Sequence, residues 1–325
     1  MDTEKTLTKI GFGSCLKENK PQPLWDDVLA RQPDLFVLMG DNVYGDTEDM
    51  NELKGKYQQL SAQTGFKKLR QTTPIIGIWD DHDYGQNDAG AEYPKKEESK
   101  HIMLDFFGEP KNSERRMRED GAYTSYMFGP EGRRVHIILP DLRYNRTPLD
   151  SVGKLVYGTQ REPFNQGPYK INQAATATML GETQWQWLEE ELAKPADIII
   201  LVSSLQVIAD FTGWESWTNF AHDQARLYNN IERLNLDNLI IVSGDTHWSE
   251  ISRRTMSNVS LVDMTASGMT EKWKDISPNQ YRESDAFAMA NFGMLTIDWS
   301  ASPTNAMLEI ITKDGEILIQ QAWRP

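Results

Sequence analysis

Short apolar runs separated by amphipathic segments organise the first two-thirds of the chain. Ile10–Phe12, Leu35–Met39 and Ile75–Trp79 have strand length, and Pro23–Ala30 and Asn51–Leu60 carry apolar residues at helical spacing between them. Lys95–Phe107 reads as a further helix. Tyr123–Phe128 and Val135–Leu139 read as a hairpin around Gly129-Pro130-Glu131-Gly132. Asp141–Thr178 lacks a period and is rich in Pro, Gly, Asn and Arg, which predicts a long functional loop packed over the surface. The alternation then resumes with a helix at Glu182–Leu192, a strand at Ile198–Val202, a helix at Asn219–Leu234 and a strand at Leu239–Val242. Beyond it the pattern is all-β: Ser249–Arg254, Val259–Val262, Gly293–Trp299, Met307–Thr312 and Glu316–Gln321, with Lys313-Asp314-Gly315 as the last turn. Alternating strands and helices predict an α/β fold, and the number of strands predicts two packed sheets in a single domain over residues 1–325.

The polar residues have a positional logic. Each strong apolar run stops abruptly at potential ligands: Gly13-Ser14-Cys15, then Gly40-Asp41-Asn42-Val43-Tyr44-Gly45-Asp46, then Asp80-Asp81-His82-Asp83-Tyr84. The strand at Ile198 stops at Ser203-Ser204-Leu205-Gln206, and the one at Leu239 at Ser243-Gly244-Asp245-Thr246-His247-Trp248. In open α/β sheets the carboxyl ends of the strands form one crevice. If these strands share a sheet, Cys15, Asp41, Tyr44, Asp81, His82, Asp245 and His247 meet there. So many acidic groups repel one another, and metal ions are the compact remedy. Asp41 and Tyr44 have the spacing of a tight strand exit and can reach one ion. Asp245 and His247, two apart on an extended segment, can share a side. A thiolate, a phenolate and a carboxylate together favour a trivalent ion, with Fe(III) the leading candidate. The carboxylate-rich remainder suits a hard divalent ion such as Ca, Mg or Mn.

Charge narrows the partners. The net charge of −14 argues against long nucleic acid, which is held through Lys and Arg. An anionic substrate therefore needs a local positive centre, which bound metal can supply. The single cysteine rules out an internal disulfide framework. No apolar run is long enough to span a bilayer, and Met1-Asp2-Thr3-Glu4-Lys5 lacks the basic-then-apolar pattern of a signal peptide.

At these residues the sequence resembles the alkaline phosphatase D (PhoD-like) family of metallophosphoesterases, itself similar to the purple acid phosphatases. The segments that carry the resemblance are Gly13-Ser14-Cys15, Gly40-Asp41-Asn42-Val43-Tyr44, Trp79-Asp80-Asp81-His82-Asp83, Asp141-Leu142-Arg143, Leu180–Leu188 and Ser243-Gly244-Asp245-Thr246-His247, in that order. The resemblance implies a four-layer α/β/β/α sandwich. It implies an Fe-like site held by Cys15, Asp41, Tyr44 and His247. Asp41 would bridge to a second metal, Ca or alternatively Mg, Mn or Zn, held also by Asp81 and Asp245. His82 would lie near the leaving group, and Arg143 would hold a phosphate oxygen. The chain departs from the related phosphatases at Asp81, where they carry Asn, and at Asp245, where they carry His. It also has Ser204 and Gln206 where they place a His after the equivalent strand. These departures favour a harder divalent ion at the second site.

The implied reaction is direct hydrolysis of a small phosphate ester or phosphodiester by a metal-activated hydroxide, with His82 as proton donor. Asp80 and Asp83 can instead serve to orient His82 through hydrogen bonds. Trp214, Trp217 and Trp273 are candidates for the wall of a substrate cleft, whereas His101, His136, His222, Trp185 and Trp187 read as structural. Some family members cover their metals with a C-terminal helix. The terminal hairpin here predicts a more open entrance, and hence diester use at least as good as monoester use. A glycoside or non-phosphate ester hydrolase with paired carboxylates would leave Cys15, Tyr44 and His247 without a role. A non-catalytic metal- or phosphate-binding protein would keep the ligands and show no turnover.

Overall fold

The computed structural model describes residues 2–325. Two six-stranded sheets form its centre. In the first, β1 (Lys9–Gly13), β2 (Leu35–Met39) and β3 (Ile75–Ile78) run parallel, with Gly13 opposite Leu38 and Leu38 opposite Gly77. The helices α1 (Trp25–Arg31), α2 (Met50–Ala62) and α3 (Thr64–Thr72) make the connections. The first two match expectation, and α3 was not anticipated, because its polar run Lys67-Lys68 and Arg70-Gln71 obscures a period set only by Phe66 and Leu69. A four-residue helix, α4 (Asp81–Tyr84), follows β3 directly, and α5 (Lys96–Phe106) and the short α6 (Glu114–Met117) complete this half.

The second sheet begins with the hairpin of β4 (Thr124–Phe128) and β5 (Val135–Leu139). The expected long loop follows and contains only a turn of helix, α7 (Lys154–Val156), and two further short turns. Next come α8 (Glu182–Leu192), β6 (Ile198–Ser203), α9 (Ala221–Leu234), β7 (Leu239–Ser243), β8 (Ser249–Thr255) and β9 (Ser260–Ala266), in sheet order β4-β5-β6-β7-β9-β8. Helix α9 starts two residues later than the sequence suggests, since Trp217–Asn219 is a separate 3-10 turn. The chain then returns to the first sheet, where β10 (Asn291–Asp298), β11 (Asn305–Thr312) and β12 (Ile317–Trp323) extend it antiparallel from β1.

The layers follow from side-chain alternation. Ile198, Ile200, Val202, Ile240 and Val242 join the core shared with the first sheet, while Ile199, Leu201, Leu239 and Ile241 join a second core beneath α8 and α9. A strand buried on both faces needs an unbroken apolar run, which is what β6 and β7 show. Each such buried side chain stabilises the fold by about 1.5–3 kcal/mol relative to exposure. With α1, α2, α3 and α5 packed on the first sheet, the result is a four-layer α/β/β/α sandwich. The ligand-bearing strands are divided between the two sheets. β1, β2 and β3 belong to one sheet and β6 and β7 to the other, and their carboxyl ends meet at one end of the sandwich.

Candidate metal centre

The five strand exits bring their polar residues into contact. Cys15 Sγ lies 3.6 Å from Asp41 Oδ2, and the Tyr44 hydroxyl lies 3.3 Å from the same oxygen and 3.1 Å from His247 Nε2. Donor atoms of Cys15, Asp41 and His247 lie within 4.8 Å of one another. The same limit holds for Asp41, Asp81 and His82, and again for Asp80, Asp81 and Asp245. Asp41 thus belongs to two adjoining groups, one rich in soft and phenolic donors and the other in carboxylates. Every metal residue expected from the sequence lies in this constellation.

The backbone is bent to achieve it. Cys15, Asp41, Asp245 and His247 all adopt left-handed φ, at 57°, 51°, 66° and 63°. Such residues cost on the order of 1–3 kcal/mol each and persist where the surroundings hold them. Asp41 carbonyl accepts from Leu16 N–H at 2.8 Å, and Ser267 Oγ accepts from His247 N–H at 2.8 Å while lying 3.0 Å from Cys15 Sγ. At Gly40, φ is +102° and a Cβ would come within 2.6 Å of Asp80 Cβ, so only glycine lets the Asp41 loop pass this close to the Asp80 loop.

Without a cation the arrangement is electrostatically costly. Burial, then the neighbouring Asp81 and Cys15 charges, push the Asp41 carboxyl well above its ordinary range. Burial does the same to Asp245, reinforced by Asp80 and Asp81, and to the Tyr44 phenol, reinforced by Asp41. Burial pushes the Cys15 thiol up to about 12 and the His247 imidazole down to about 4. Asp41 Oδ1 and Asp80 Oδ2 are buried with no hydrogen-bond partner. Cations at this point would reverse the penalties on the carboxyl, thiol and phenol groups, and burial already keeps the His247 imidazole in the neutral form that binds metal, so the donor set fits metal ions.

The Asp80–Tyr84 segment divides its labour differently from expectation. Asp83 does not touch His82. Its carboxylate accepts from Asp80 N–H at 2.7 Å, Asp41 N–H at 3.2 Å, Asn42 N–H at 3.2 Å and the Tyr57 hydroxyl at 3.0 Å, tying two ligand loops together. Asp80 accepts at 2.6 Å from both Arg143 Nε and Ser204 Oγ. The partner of His82 is Asp46, whose two oxygens lie 2.8 and 2.9 Å from Nδ1. Burial opposes a charge on His82, but Asp81 and Asp46 win and raise it to about 9.

Arg143 sits deep in the fold. It is fully buried, with Nε on Asp80 and Nη1 on Glu215 at 2.7 and 2.8 Å, and it is not on the cavity wall. A guanidinium held by two buried carboxylates lies beneath the site as their counter-ion, with Nη2 left without a hydrogen-bond partner 3.9 Å from Asp81 Oδ1. Gln206 and Ser204 are also accounted for. Ser204 donates to Asp80, and Gln206 Nε2 donates to Glu250 at 3.1 Å and Thr265 at 3.0 Å while facing the cavity.

A cavity of about 190 Å³ opens over Asp81, His82, Asp245 and His247. Trp214, Trp248 and Trp273 form part of its wall, with Asp88 and Glu215. Trp217 is instead fully buried in the second core, its indole N–H donating to Ser203 Oγ at 3.0 Å. Asp46, Asp88, Glu215 and Ser267 were missed by sequence reasoning. Asp46 lies inside the β2 exit segment and could have been found by its proximity to the ligands. The other three sit in loops with no motif around them. The long loop does reach the site, because the Tyr169 hydroxyl donates to Asp88 and Gly167 packs on Gly213, where a Cβ would approach Gly167 O to 2.6 Å.

A family model described as PhoD-like phosphatase matches residues 11–274. The fold is similar to that of the solved structure of PhoD, with TM-score 0.66 and 16% identity over 100% of this chain and 73% of that one. It is also similar to GAP50, described as the anchor in the inner membrane complex of Plasmodium, with TM-score 0.60 and 11% identity over 98% and 89% of the two chains. A dimetal phosphatase from Danio rerio gives TM-score 0.59 and 13% identity over 98% and 99%. No curated protein matches the sequence.

Proposed function

The chain belongs to the PhoD-like phosphatase family, and so to the metal-dependent phosphoric ester hydrolases; from that premise we propose that it is a phosphodiesterase with a mixed Fe(III)–divalent centre. The observation that carries this reading is the position of Asp41, shared between the Cys15–His247 group and the Asp81–His82 group. Cys15, Asp41, Tyr44 and His247 would hold Fe(III). Asp41, Asp81 and Asp245 would hold a divalent ion, Ca first and Mg, Mn or Zn as alternatives. When bound, the ions supply Lewis acidity toward the phosphoryl oxygens and activation of water.

The remaining work falls to the chain. His82, its Nδ1 fixed by Asp46, holds a proton on Nε2 and gives it to the leaving oxygen. Arg143 positions Asp80 and Glu215 and keeps that acidic floor from repelling itself apart. Among the described residues no Lys or Arg lines the cavity, so a monoester dianion finds no cationic clamp, whereas a diester carries one charge fewer and has an aromatic wall for its second arm. None of the cavity-lining residues comes from β11 or β12, which leaves that arm unobstructed by the terminal hairpin.

One structural relative is described as an anchor, so turnover itself is the first test. Elemental analysis of the isolated protein should find iron and a divalent metal. Bis-(p-nitrophenyl) phosphate should be cleaved with kcat/KM at least equal to that for p-nitrophenyl phosphate, and chelation should abolish both activities. Full activity after complete metal removal, or a strong monoester preference, would refute the proposal.

A further inference from the structure

The cavity has two unlike sides. Asp81, His82, Asp245 and His247 belong to the centre described above; Trp214, Trp248 and Trp273 make an aromatic part of the wall. Trp214 and Trp273 meet edge to face, with ring centroids 5.8 Å apart and planes at 71°. Trp248 is fixed by its indole N–H, which donates to the buried Glu250 at 3.0 Å, and Trp273 is fixed through its backbone N–H on His247 O at 3.0 Å. Trp273 is 42% exposed, so much of its ring is open to a bound group beside the cavity. Rings at right angles cannot sandwich one flat group. They form a corner, and a corner of electron-rich faces suits a rounded cation.

The charges point the same way. The wall carries Asp88 and Glu215, the latter already paired with the buried Arg143 and Arg146, and, among the described residues, no Lys or Arg, so no cationic side chain there opposes a cationic group. Lys272 and Lys274 flank Trp273 in sequence but are exposed and do not line the cavity. The net charge of −14 sets a negative field around the mouth. An anionic arm on the substrate would be repelled at the indole corner, a neutral branched arm would gain only apolar contact, and a cationic arm would gain both.

We propose that the Trp214–Trp273 corner is a specificity subsite for the second arm of a phosphodiester, and that the arm it selects carries an alkylammonium group. The proposal rests on the hydrolase reading given above and adds the substrate class. Trp214 and Trp273 are specificity residues: they touch the arm, while the bond that breaks lies at phosphorus.

The test is a series of p-nitrophenyl diesters with three second arms: 2-(trimethylammonio)ethyl, its uncharged isostere 3,3-dimethylbutyl, and 2-carboxyethyl, which reverses the charge. The metal-replete protein should show kcat/KM falling in that order, with the ammonium arm favoured about tenfold or more over its uncharged isostere, chiefly through KM. Trp273→Leu should bring the first ratio close to one, and Trp273→Phe should retain part of it. Trp214→Leu should act similarly; if that variant does not fold, Trp273, at the surface, still decides. A ratio near one in the wild type, or a ratio unmoved by Trp273→Leu, would overturn the subsite while leaving the hydrolase intact. Binding provides the separate readout. Quenching of tryptophan fluorescence by choline, but not by 3,3-dimethylbutanol, should be lost in Trp273→Leu. A protein that turns over none of the three diesters yet shows this binding would keep the subsite and refute the hydrolase reading, and one showing neither would refute both.

Discussion

Replacing Asp46 with Asn changes one charge next to His82 and little else. Both Asp46 oxygens lie within 2.9 Å of His82 Nδ1, and the amide keeps an acceptor for the ring N–H. The attraction between a carboxylate and an imidazolium at this distance is on the order of 6 kcal/mol at an effective dielectric near 20. Asp46 is 43% exposed, so water and salt screen much of it. After that discount about 1–2.7 kcal/mol remains, or roughly a 5- to 100-fold effect on a step that uses the His82 proton. The consequence depends on the leaving group. Nitrophenolate departs readily without a proton, whereas an alkoxide does not. Asp46→Asn should therefore slow hydrolysis of a methyl or other alkyl diester by about 5- to 100-fold and that of bis-(p-nitrophenyl) phosphate by less than about threefold. The assay is a leaving-group series of diesters at fixed pH and metal loading, with metal content measured on each preparation. The slope of log kcat/KM against leaving-group acidity should steepen in the variant. An equal loss for aryl and alkyl substrates at full metal content would refute the role given to the pair.

Three further outcomes follow from the same structure. Asp41→Asn should abolish turnover and lower the content of both metals, read by elemental analysis, because one carboxylate stands in both donor groups; wild-type occupancy would show that it does not bridge. Tyr44→Phe removes the hydroxyl 3.1 Å from His247 Nε2 and should bleach the visible phenolate-to-iron band while leaving the circular dichroism unchanged. Away from the site, burial opposes ionisation of Glu191, but His136, Lys194 and Ser125 prevail and hold it at about 2. Its folded value lies below its unfolded one, so its stabilisation is present above about pH 4.5 and is lost as pH falls toward 2. Glu191→Gln should cost about 1–2 kcal/mol by urea titration at pH 7 and much less near pH 2.5; an equal loss at both would show that packing alone is at stake.

The sequence by itself determined the strands, the alternation that makes an α/β fold and the residues at which each strand stops. An apolar run buried on both faces is local information, and so is the abrupt polarity at its end. Hence β2 and α8 have the bounds read from the sequence, and Cys15, Asp41, Tyr44, Asp81, Asp245 and His247 stand together as their positions at strand exits suggested. The sequence could not assign those strands to sheets, because pairing is decided between segments far apart in the chain. The ligand-bearing strands are divided between two sheets packed face to face, with their carboxyl ends at one end of the sandwich. For the same reason it could not choose among like side chains. That Asp80 and Glu215 close on Arg143 is not legible in the sequence, and Asp83 looks like a partner for His82 until it is seen holding the Asp41 loop. Trp214 lines a cavity and Trp217, three residues on, fills a core. Charge and burial are properties of surroundings, and those of Asp46, Asp88 and Glu215 exist only once the loops that carry them have packed against the ends of both sheets.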